Sequence, residues 1–276
     1  MLFNNKVVII TGGSKGVGAA TARLFANSGA NLILVARNKD NLDIMANKLS
    51  SKAKVVSIAM DVTDTNACRT LLKKAKSQFG RIDILVNNAG YHSRGFVENI
   101  DVDDLGKMID INLKAPIILS RLAIPYLKEA GGGSIVNIAS LAGRVPIPGN
   151  AGYSASKAGL RSFTYALGDE LRKSNIKLAV ISPGPIDTDF IMKNIDTNSD
   201  LTFSQPISSA TEVAQQILHI CNNQFREQTI PKFSGFLTNL IYLFPKVGRF
   251  LRPYLEYKGA KVKAKLKAER NLLNKN

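Results

Sequence analysis

Two residues four positions apart, Tyr153 and Lys157, have types that could share acid–base work. On a helix that spacing puts both side chains on one face within mutual reach. A free tyrosine, with a pKa of about 10, is a poor base at neutral pH, and a neighbouring ammonium favours the phenolate and so lowers the pKa. Tyr153 then becomes a usable general acid or base. Thirteen residues before it stands Ser140, whose hydroxyl can hydrogen-bond a substrate oxygen and stabilise charge developing there. By itself the Tyr153/Lys157 pair would be an ordinary surface pair on a helix; its meaning depends on what the rest of the chain brings to it.

A second constellation lies near the N-terminus, where Thr11-Gly12-Gly13-Ser14-Lys15-Gly16-Val17-Gly18 follows an apolar run and precedes the helical sequence 19–26. Side chains at the glycines would keep the backbone from turning tightly and approaching a pyrophosphate, while a helix N-terminus offers free N–H groups and a positive dipole to phosphate. A glycine cluster alone is equally a plain turn. Its position between strand and helix favours dinucleotide binding by Gly12, Ser14, Lys15, Gly16, Val17 and Gly18. The spacing is Gly-x-x-x-Gly-x-Gly, not the commonest Gly-x-Gly-x-x-Gly. Roughly 20 residues on, an acid would bind the ribose 2′-hydroxyl of NAD. The sequence there is Val35-Ala36-Arg37-Asn38, with no acid. Arg37 and Lys15 can meet a 2′-phosphate, so NADP(H) is expected over NAD(H); the other reading of Arg37 is a solvated surface charge.

The elements that must position these residues are legible as short β-branched apolar runs at 7–11, 32–36, 55–60, 84–87, 135–139 and 178–182, each followed by helix-like sequence. Continuously apolar strands are buried on both faces, and strands separated by helices build right-handed crossovers in a parallel sheet. The expected fold class is α/β, a single Rossmann-type doubly wound parallel sheet with helices on both faces and a basic helical extension at the C-terminus. No internal repeat or flexible linker interrupts residues 1–232. The expected division is therefore one domain over 1–232 and an apolar, then basic, extension over 233–276.

Three further segments, Asn87-Asn88-Ala89-Gly90, Ser140 and Tyr153-Ser154-Ala155-Ser156-Lys157, complete a likeness. With the glycine loop, which that family spaces in the same way, the chain resembles a short-chain dehydrogenase/reductase over residues 1–232. The resemblance implies an NADP-dependent oxidoreductase interconverting a ketone or aldehyde and an alcohol. It implies that Lys157 also holds the nicotinamide ribose, and that Asn112 supports a water-linked proton relay. It places Asn88, Ala89 and Gly90 in the cofactor crevice, Asp61 and Val62 at the adenine, and Pro183, Gly184, Ile186 and Thr188 at the nicotinamide, Thr188 on its carboxamide. Asp61 could instead be the N-cap of the following helix, and Gly184 only a turn residue. A homodimer or tetramer is implied, with the extension able to alter the usual interface. The segment 190–207 matches the family's mobile lid. Its Phe190, Ile191, Met192, Ile195, Leu201, Phe203 and Ile207 suit a hydrophobic substrate, such as a long-chain acyl ketone or a steroid- or retinoid-like molecule, or equally the lid's own packing.

Composition bounds the remaining classes. With 276 residues, 45% hydrophobic and 21% charged, the chain can bury a core and is neither disordered nor a coiled coil. Cys68 and Cys221 lack any metal-ligand spacing, and His92 and His219 stand apart from cysteine or serine motifs, so no metal site, no disulfide and no histidine base is expected. The net charge of +16 raises the question of nucleic acid. Half of it lies in residues 245–276, which hold ten basic residues against Glu256 and Glu269. No nucleic-acid motif accompanies it, and none is expected to bind. Phe236 to Phe244 is apolar but too short to span a bilayer, and Leu251, Leu255, Val262, Leu266 and Leu273 form a narrow stripe among lysines. Such a segment suits an anionic membrane surface, or else an oligomer or core contact followed by a solvated helix. Without a signal-peptide layout, the expected location is the cytoplasm or the periphery of a membrane. A non-catalytic NADP(H) sensor or scaffold is the competing function; intact Ser140, Tyr153 and Lys157 count against it.

Overall fold

The computed structural model describes residues 2–223 and 226–273. Strand and helix alternate along most of the chain: β1 (Val7–Thr11), α1 (Gly16–Asn27), β2 (Asn31–Ala36), α2 (Lys39–Leu49), β3 (Val55–Ala59), α3 (Thr65–Phe79), β4 (Ile84–Asn87), α4 (Val102–Ile109), α5 (Ala115–Glu129), β5 (Gly133–Ile138), α6 (Ala151–Glu170) and β6 (Ile176–Pro183). Then come β7 (Ile186–Asp187), α7 (Asp189–Met192), β8 (Ser208–Ser209), α8 (Ala210–Asn222), β9 (Glu227–Ile230), α9 (Lys232–Leu243) and α10 (Pro245–Leu273).

Seven strands form one parallel sheet in the order β3-β2-β1-β4-β5-β6-β9. The continuous apolarity of β1 has its cause in this architecture. Val8 and Ile10 pack with Phe25, Leu42 and Ile217 on one face, while Val7 and Ile9 pack with Leu71, Leu72 and Leu119 on the other. Chain order reverses between β1 and β4, which opens a crevice at the carboxyl ends of the strands. The six expected strands are present: β1 and β4 keep their expected bounds, β2 begins one residue earlier, β3 ends one earlier, β5 begins two earlier and ends one earlier, and β6 begins two earlier and ends one later. The apolar pattern misses β9 because Glu227-Gln228-Thr229-Ile230 is short and mostly polar, an edge strand that carries a carboxylate inward.

Three departures from regular structure position the site. α4 runs through a π-helical turn, Asp110–Lys114, into α5. The two-residue strands β7 and β8 pair in parallel and draw together the ends of the segment 188–207. α10 packs along that segment, so that Val262 and Leu266 join the small core of Met192, Ile195 and Phe203. No helix among the described residues is long and apolar enough to cross a membrane. The side chain of Leu273 and all of Lys275 lie outside the described residues.

Candidate active site

α6 presents Tyr153 and Lys157 one turn apart, with the Lys157 ammonium 5.8 Å from the centre of the tyrosine ring. Lys157 is buried, and its Nζ donates to the Ile138 carbonyl at 2.8 Å, at the end of β5. Burial holds it down at about 8, which leaves it mostly protonated at neutral pH. Just beyond β5 the backbone of Ser140 stays extended, and its hydroxyl accepts from the Ala142 N–H at 3.1 Å and donates to the Pro183 carbonyl at 3.4 Å.

Burial pushes the Tyr153 phenol up, while a hydrogen bond from Ser140 and the charge of Arg94 pull it down. The downward influence expected of Lys157 is not among the effects that act on Tyr153 in this structure, where burial leads and the counterweights come from Ser140 and Arg94. The raised value keeps the phenol protonated at neutral pH, so that it holds the proton a general acid would deliver.

Asn112 sits in the π-helical turn, fully buried, and does not reach the cleft surface. Its Oδ1 accepts from the Tyr91 N–H at 2.8 Å, and its Nδ2 donates to the Tyr91 carbonyl at 2.8 Å and the Ser156 hydroxyl at 3.1 Å. It therefore couples the segment after Gly90 to the helix that bears Tyr153 and Lys157.

One cleft of about 880 Å³ unites the remaining candidates. Ser140, Tyr153 and Lys157 line it together with Gly12, Ser14, Lys15, Gly16, Val17, Arg37, Asp61, Val62, Asn88, Ala89, Gly90, Pro183, Gly184, Ile186 and Thr188. Gly18 stands outside the lining, and its place in the motif is explained by packing: a Cβ there would fall 2.1 Å from the Gly12 carbonyl oxygen. Gly16 opens α1 with φ of +53° and faces Thr188 across the cleft.

The loop fits an anionic dinucleotide on two counts. Side chains of Asn38, Asp64, Asp101 and Ser209 cap α2, α3, α4 and α8, whereas α1, like α5, α6, α7 and α9, has no side-chain cap, and its first turn, which lines the cleft, carries no acid. The Thr11 hydroxyl accepts from the N–H groups of Asn88 and Ala89 at 2.9 and 3.0 Å, and Asn88 Nδ2 donates back to the Thr11 carbonyl at 3.0 Å. These bonds lock the two cofactor loops together across the switch point. Asp61 is not the helix cap: Asp64 caps α3, while Asp61 takes the N–H and hydroxyl of Thr63 at 2.9 and 2.8 Å. The backbone hydrogen bond from Thr63 leads the effects that hold its carboxyl below the usual range. Gly184 lines the cleft without a left-handed turn.

Sequence reasoning missed the wall opposite the glycine loop. His92 stacks on Tyr153 with ring centres 4.1 Å apart, and its Nε2 meets Asn150 Oδ1 at 3.0 Å. Burial, reinforced by the Arg94 charge, holds His92 down at about 3, so its ring is neutral. Arg94 donates to Asn198 Oδ1 at 2.7 Å and to the Phe190 carbonyl at 2.6 Å, pinning the lid segment to the loop after β4. Both residues lie in irregular chain just past Gly90, where no periodicity or motif marks them. The lid's apolar residues divide: Phe190, Ile191 and Leu201 line the cleft, while Met192, Ile195 and Phe203 pack among themselves.

The serine loop is anchored from behind. Glu227 on β9 accepts a forked pair from Arg161 at 2.9 to 3.1 Å, bonds from Ser182 at 2.8 Å and Tyr165 at 2.9 Å, and an ion pair from Arg144. Burial works against its charge, but these donors hold its carboxyl down at about 2. Arg144 also donates to Thr238 Oγ1 at 3.0 Å and Asn239 Oδ1 at 2.7 Å on α9.

Comparison with known proteins agrees with this geometry. The short chain dehydrogenase family pattern matches residues 6–199. An uncharacterized oxidoreductase of Staphylococcus saprophyticus is 33% identical over 234 residues, covering 83% of this chain and 94% of that one. An oxidoreductase of Botryotinia fuckeliana is 37% identical over 185 residues, 67% of each chain. A short chain dehydrogenase from Burkholderia cenocepacia, solved in complex with NADP, superposes with a TM-score of 0.76 at 29% identity, over 83% of this chain and 97% of that one. A second, from Burkholderia phymatum in complex with NAD, reaches a TM-score of 0.81 at 23% identity, over 90% and 96%, and shares the fold. This chain belongs to the short chain dehydrogenase family. It is an oxidoreductase of the Rossmann-type fold, in a family that binds NAD or NADP.

Proposed function

We propose that the chain is an NADP(H)-dependent carbonyl reductase or alcohol dehydrogenase acting on an apolar substrate of the long-chain acyl, steroid-like or retinoid-like kind. The observation that carries this reading is a single cleft with Lys15 and Arg37 at one end and Ser140, Tyr153 and Lys157 at the other. A planar guanidinium fork and an ammonium, in place of an acid, suit a 2′-phosphate. Gly12, Ser14, Gly16 and Val17 would hold the pyrophosphate, Asp61 and Val62 the adenine, and Asn88 to Gly90 with Pro183, Gly184, Ile186 and Thr188 the nicotinamide half.

NADPH, when bound, supplies the hydride. The chain's own residues handle the oxygen. Ser140 donates a hydrogen bond to the substrate oxygen, and Tyr153, kept protonated by its burial, gives that oxygen its proton. The Lys157 ammonium stabilises the phenolate that remains and holds the nicotinamide ribose. In the oxidative direction the phenolate takes the alcohol proton. Asn112 acts behind the cleft as a positioning residue, consistent with its three bonds to Tyr91 and Ser156.

Phe190, Ile191 and Leu201 in the wall beyond His92 support an apolar substrate. The extension 233–276 enters the same proposal as a separate unit that buttresses the site through Arg144 and the lid. An assembly of two or four copies and a peripheral place on an anionic membrane belong to it too.

The test is a panel of ketones and alcohols of graded size and polarity, assayed with NADPH and with NADH by absorbance at the nicotinamide band. The expected outcome is a higher kcat/KM with NADPH and with large apolar carbonyls. Equal use of NADH, or a preference for small polar ketones, would refute the cofactor or the substrate half respectively.

A further inference from the structure

The extension is apolar on two opposite sides, and only one of them is covered. α10 turns Val262 and Leu266 inward against the lid core. There Lys263 Nζ donates to the Asn198 carbonyl at 2.8 Å and to Asp200 Oδ1 at 3.1 Å. The other side carries Phe233, Phe236, Leu243, Val247, Phe250 and Tyr254, all exposed, Phe250 by 83% and Leu243 by 70%. From 233 through 236, 240 and 243 on α9, and from 247 through 250, 254 and 257 on α10, the steps are three or four residues, so each helix carries an apolar stripe on one face, the two separated by the break at Phe244. A run of large apolar side chains left in water on two consecutive helices marks an interaction surface.

The charges beside the stripe select its partner. Lys246, Arg249, Lys258, Lys261 and Lys265 are exposed along the same helix, against the single acid Glu256 between 245 and 268. A two-fold pairing of this face with itself would set the same basic residues against one another, which disfavours a second copy as the occupant. Phenylalanine, leucine and tyrosine side chains with lysine and arginine heads around them match a bilayer interface, where aromatic rings sit at headgroup depth and the cations meet anionic lipid. The stripe also adjoins the cleft: Ser234 on α9 donates to Gln205 Oε1 at 2.6 Å, and Gln205 and Leu201 line the cleft from the segment on which α10 rests.

We propose that α9 and the outer face of α10 form an interfacial docking surface for an anionic lipid bilayer, and that docking turns the lid side of the cleft toward the lipid that delivers an apolar carbonyl substrate. The delivery clause rests on the carbonyl-reductase reading; the docking clause does not.

The experiment uses the full chain with vesicles of phosphatidylcholine alone and of phosphatidylcholine containing phosphatidylglycerol, read by co-sedimentation. The protein is expected to pellet with the anionic vesicles and less with the neutral ones, with binding weakened by salt. The double variant F236D/F250D, whose side chains are exposed and touch neither cleft nor lid core, is expected to lose about tenfold or more in vesicle affinity. Its circular dichroism and its NADPH-dependent turnover of a water-soluble ketone should stay at the wild-type level. With a poorly soluble ketone dissolved in the vesicles, anionic vesicles should lower the KM of wild type several-fold and leave that of the variant unchanged. Equal pelleting of wild type and variant, absence of vesicle binding, binding of both proteins to soluble polyglutamate in place of vesicles, or a dimer-to-monomer change in the variant without vesicle binding would each overturn docking. Vesicle binding with no effect on the KM of the dissolved ketone would overturn delivery. Absence of turnover on every ketone, with docking intact, would refute the carbonyl-reductase reading alone.

Discussion

The two ends of the cleft are built differently. The glycine-loop end is made by the carboxyl ends of β1, β2, β3 and β4, of which β1, β2 and β4 are paired on both sides and β3 is the half-buried edge strand, and its loops are tied together by Thr11 and Asn88. The lid end is a segment of short helices and irregular chain, closed at its base by a two-residue strand pair and held by Arg94, by Ser234 of α9 and by α10. One end is positioned by the strand ends of the sheet, the other by side-chain contacts between loops and helices. Under the proposed function the cofactor lies at the sheet end, and substrate choice belongs to the end that tertiary contacts assemble.

The chemistry at the junction gives the largest expected effect. Tyr153→Phe keeps the ring that stacks on His92 and removes only the proton donor. Turnover should fall by about a thousandfold or more, while the affinity for NADPH, measured by fluorescence titration, stays within about twofold. A variant retaining a tenth of the activity would show that proton delivery does not depend on this phenol.

Next in size is the anchor behind the serine loop. Glu227→Gln leaves Arg144 and Arg161 without their charge partner in a buried setting, and should cost about 3 kcal/mol of stability at neutral pH, read by denaturant unfolding. The wild-type carboxyl is depressed from 4.5 to about 2 in the folded chain. A depressed acid contributes stability that is full above its unfolded pKa and is lost as pH falls through its folded pKa. The gap between wild type and E227Q should thus be constant above about pH 5 and narrow between about 4.5 and 2. A gap that does not change with pH in that window would show that the carboxylate's charge is not what binds the network.

At the sheet end, Arg37→Asp should reverse the cofactor preference. Loss of a charge-assisted fork and gain of an acceptor for a ribose hydroxyl should shift the NADPH to NADH ratio of kcat/KM by about 10- to 100-fold toward NADH. An unchanged ratio would return Arg37 to the standing of a solvated surface charge.

The same contrast explains what the sequence could reveal. β1, β2 and β5 are buried on both faces, and that burial writes itself as unbroken apolar runs; β9 escaped notice because its inward residue is the carboxylate Glu227. The Tyr153/Lys157 pair and the glycine loop stand out in the sequence because their spacing falls within one helix or one strand–helix turn, and the structure sets them, with Ser140, along one cleft. His92, Arg94 and Asn150 meet only after the chain has folded, from loops with no period to betray them. The lid's apolar residues could not be sorted between substrate and packing from their order, since Phe190 and Met192 differ only in which side of a short helix they occupy.

The smallest effect probes how far the extension governs the lid. Lys263 is one polar link between α10 and the cleft wall, beside the Lys267–Asp196 ion pair: its Nζ meets the carbonyls of Asp196 and Asn198 and the carboxylate of Asp200, and the Asn198 side chain in turn accepts from Arg94. Lys263→Met keeps the side chain's length and apolar stem while removing all three bonds. Because the ion pair with Asp200 is partly exposed, the cost should be about 1 kcal/mol, borne by the lid and not by the sheet. Amide exchange over residues 196–204 should quicken while that of β1 and β4 stays slow. KM for an apolar ketone should rise about fivefold with kcat nearly unchanged, as expected when ordering of a lid is charged to substrate binding. If exchange in the lid is unaltered and KM holds, Arg94 and the β7–β8 pair suffice to close this end, and the extension governs only where the protein docks.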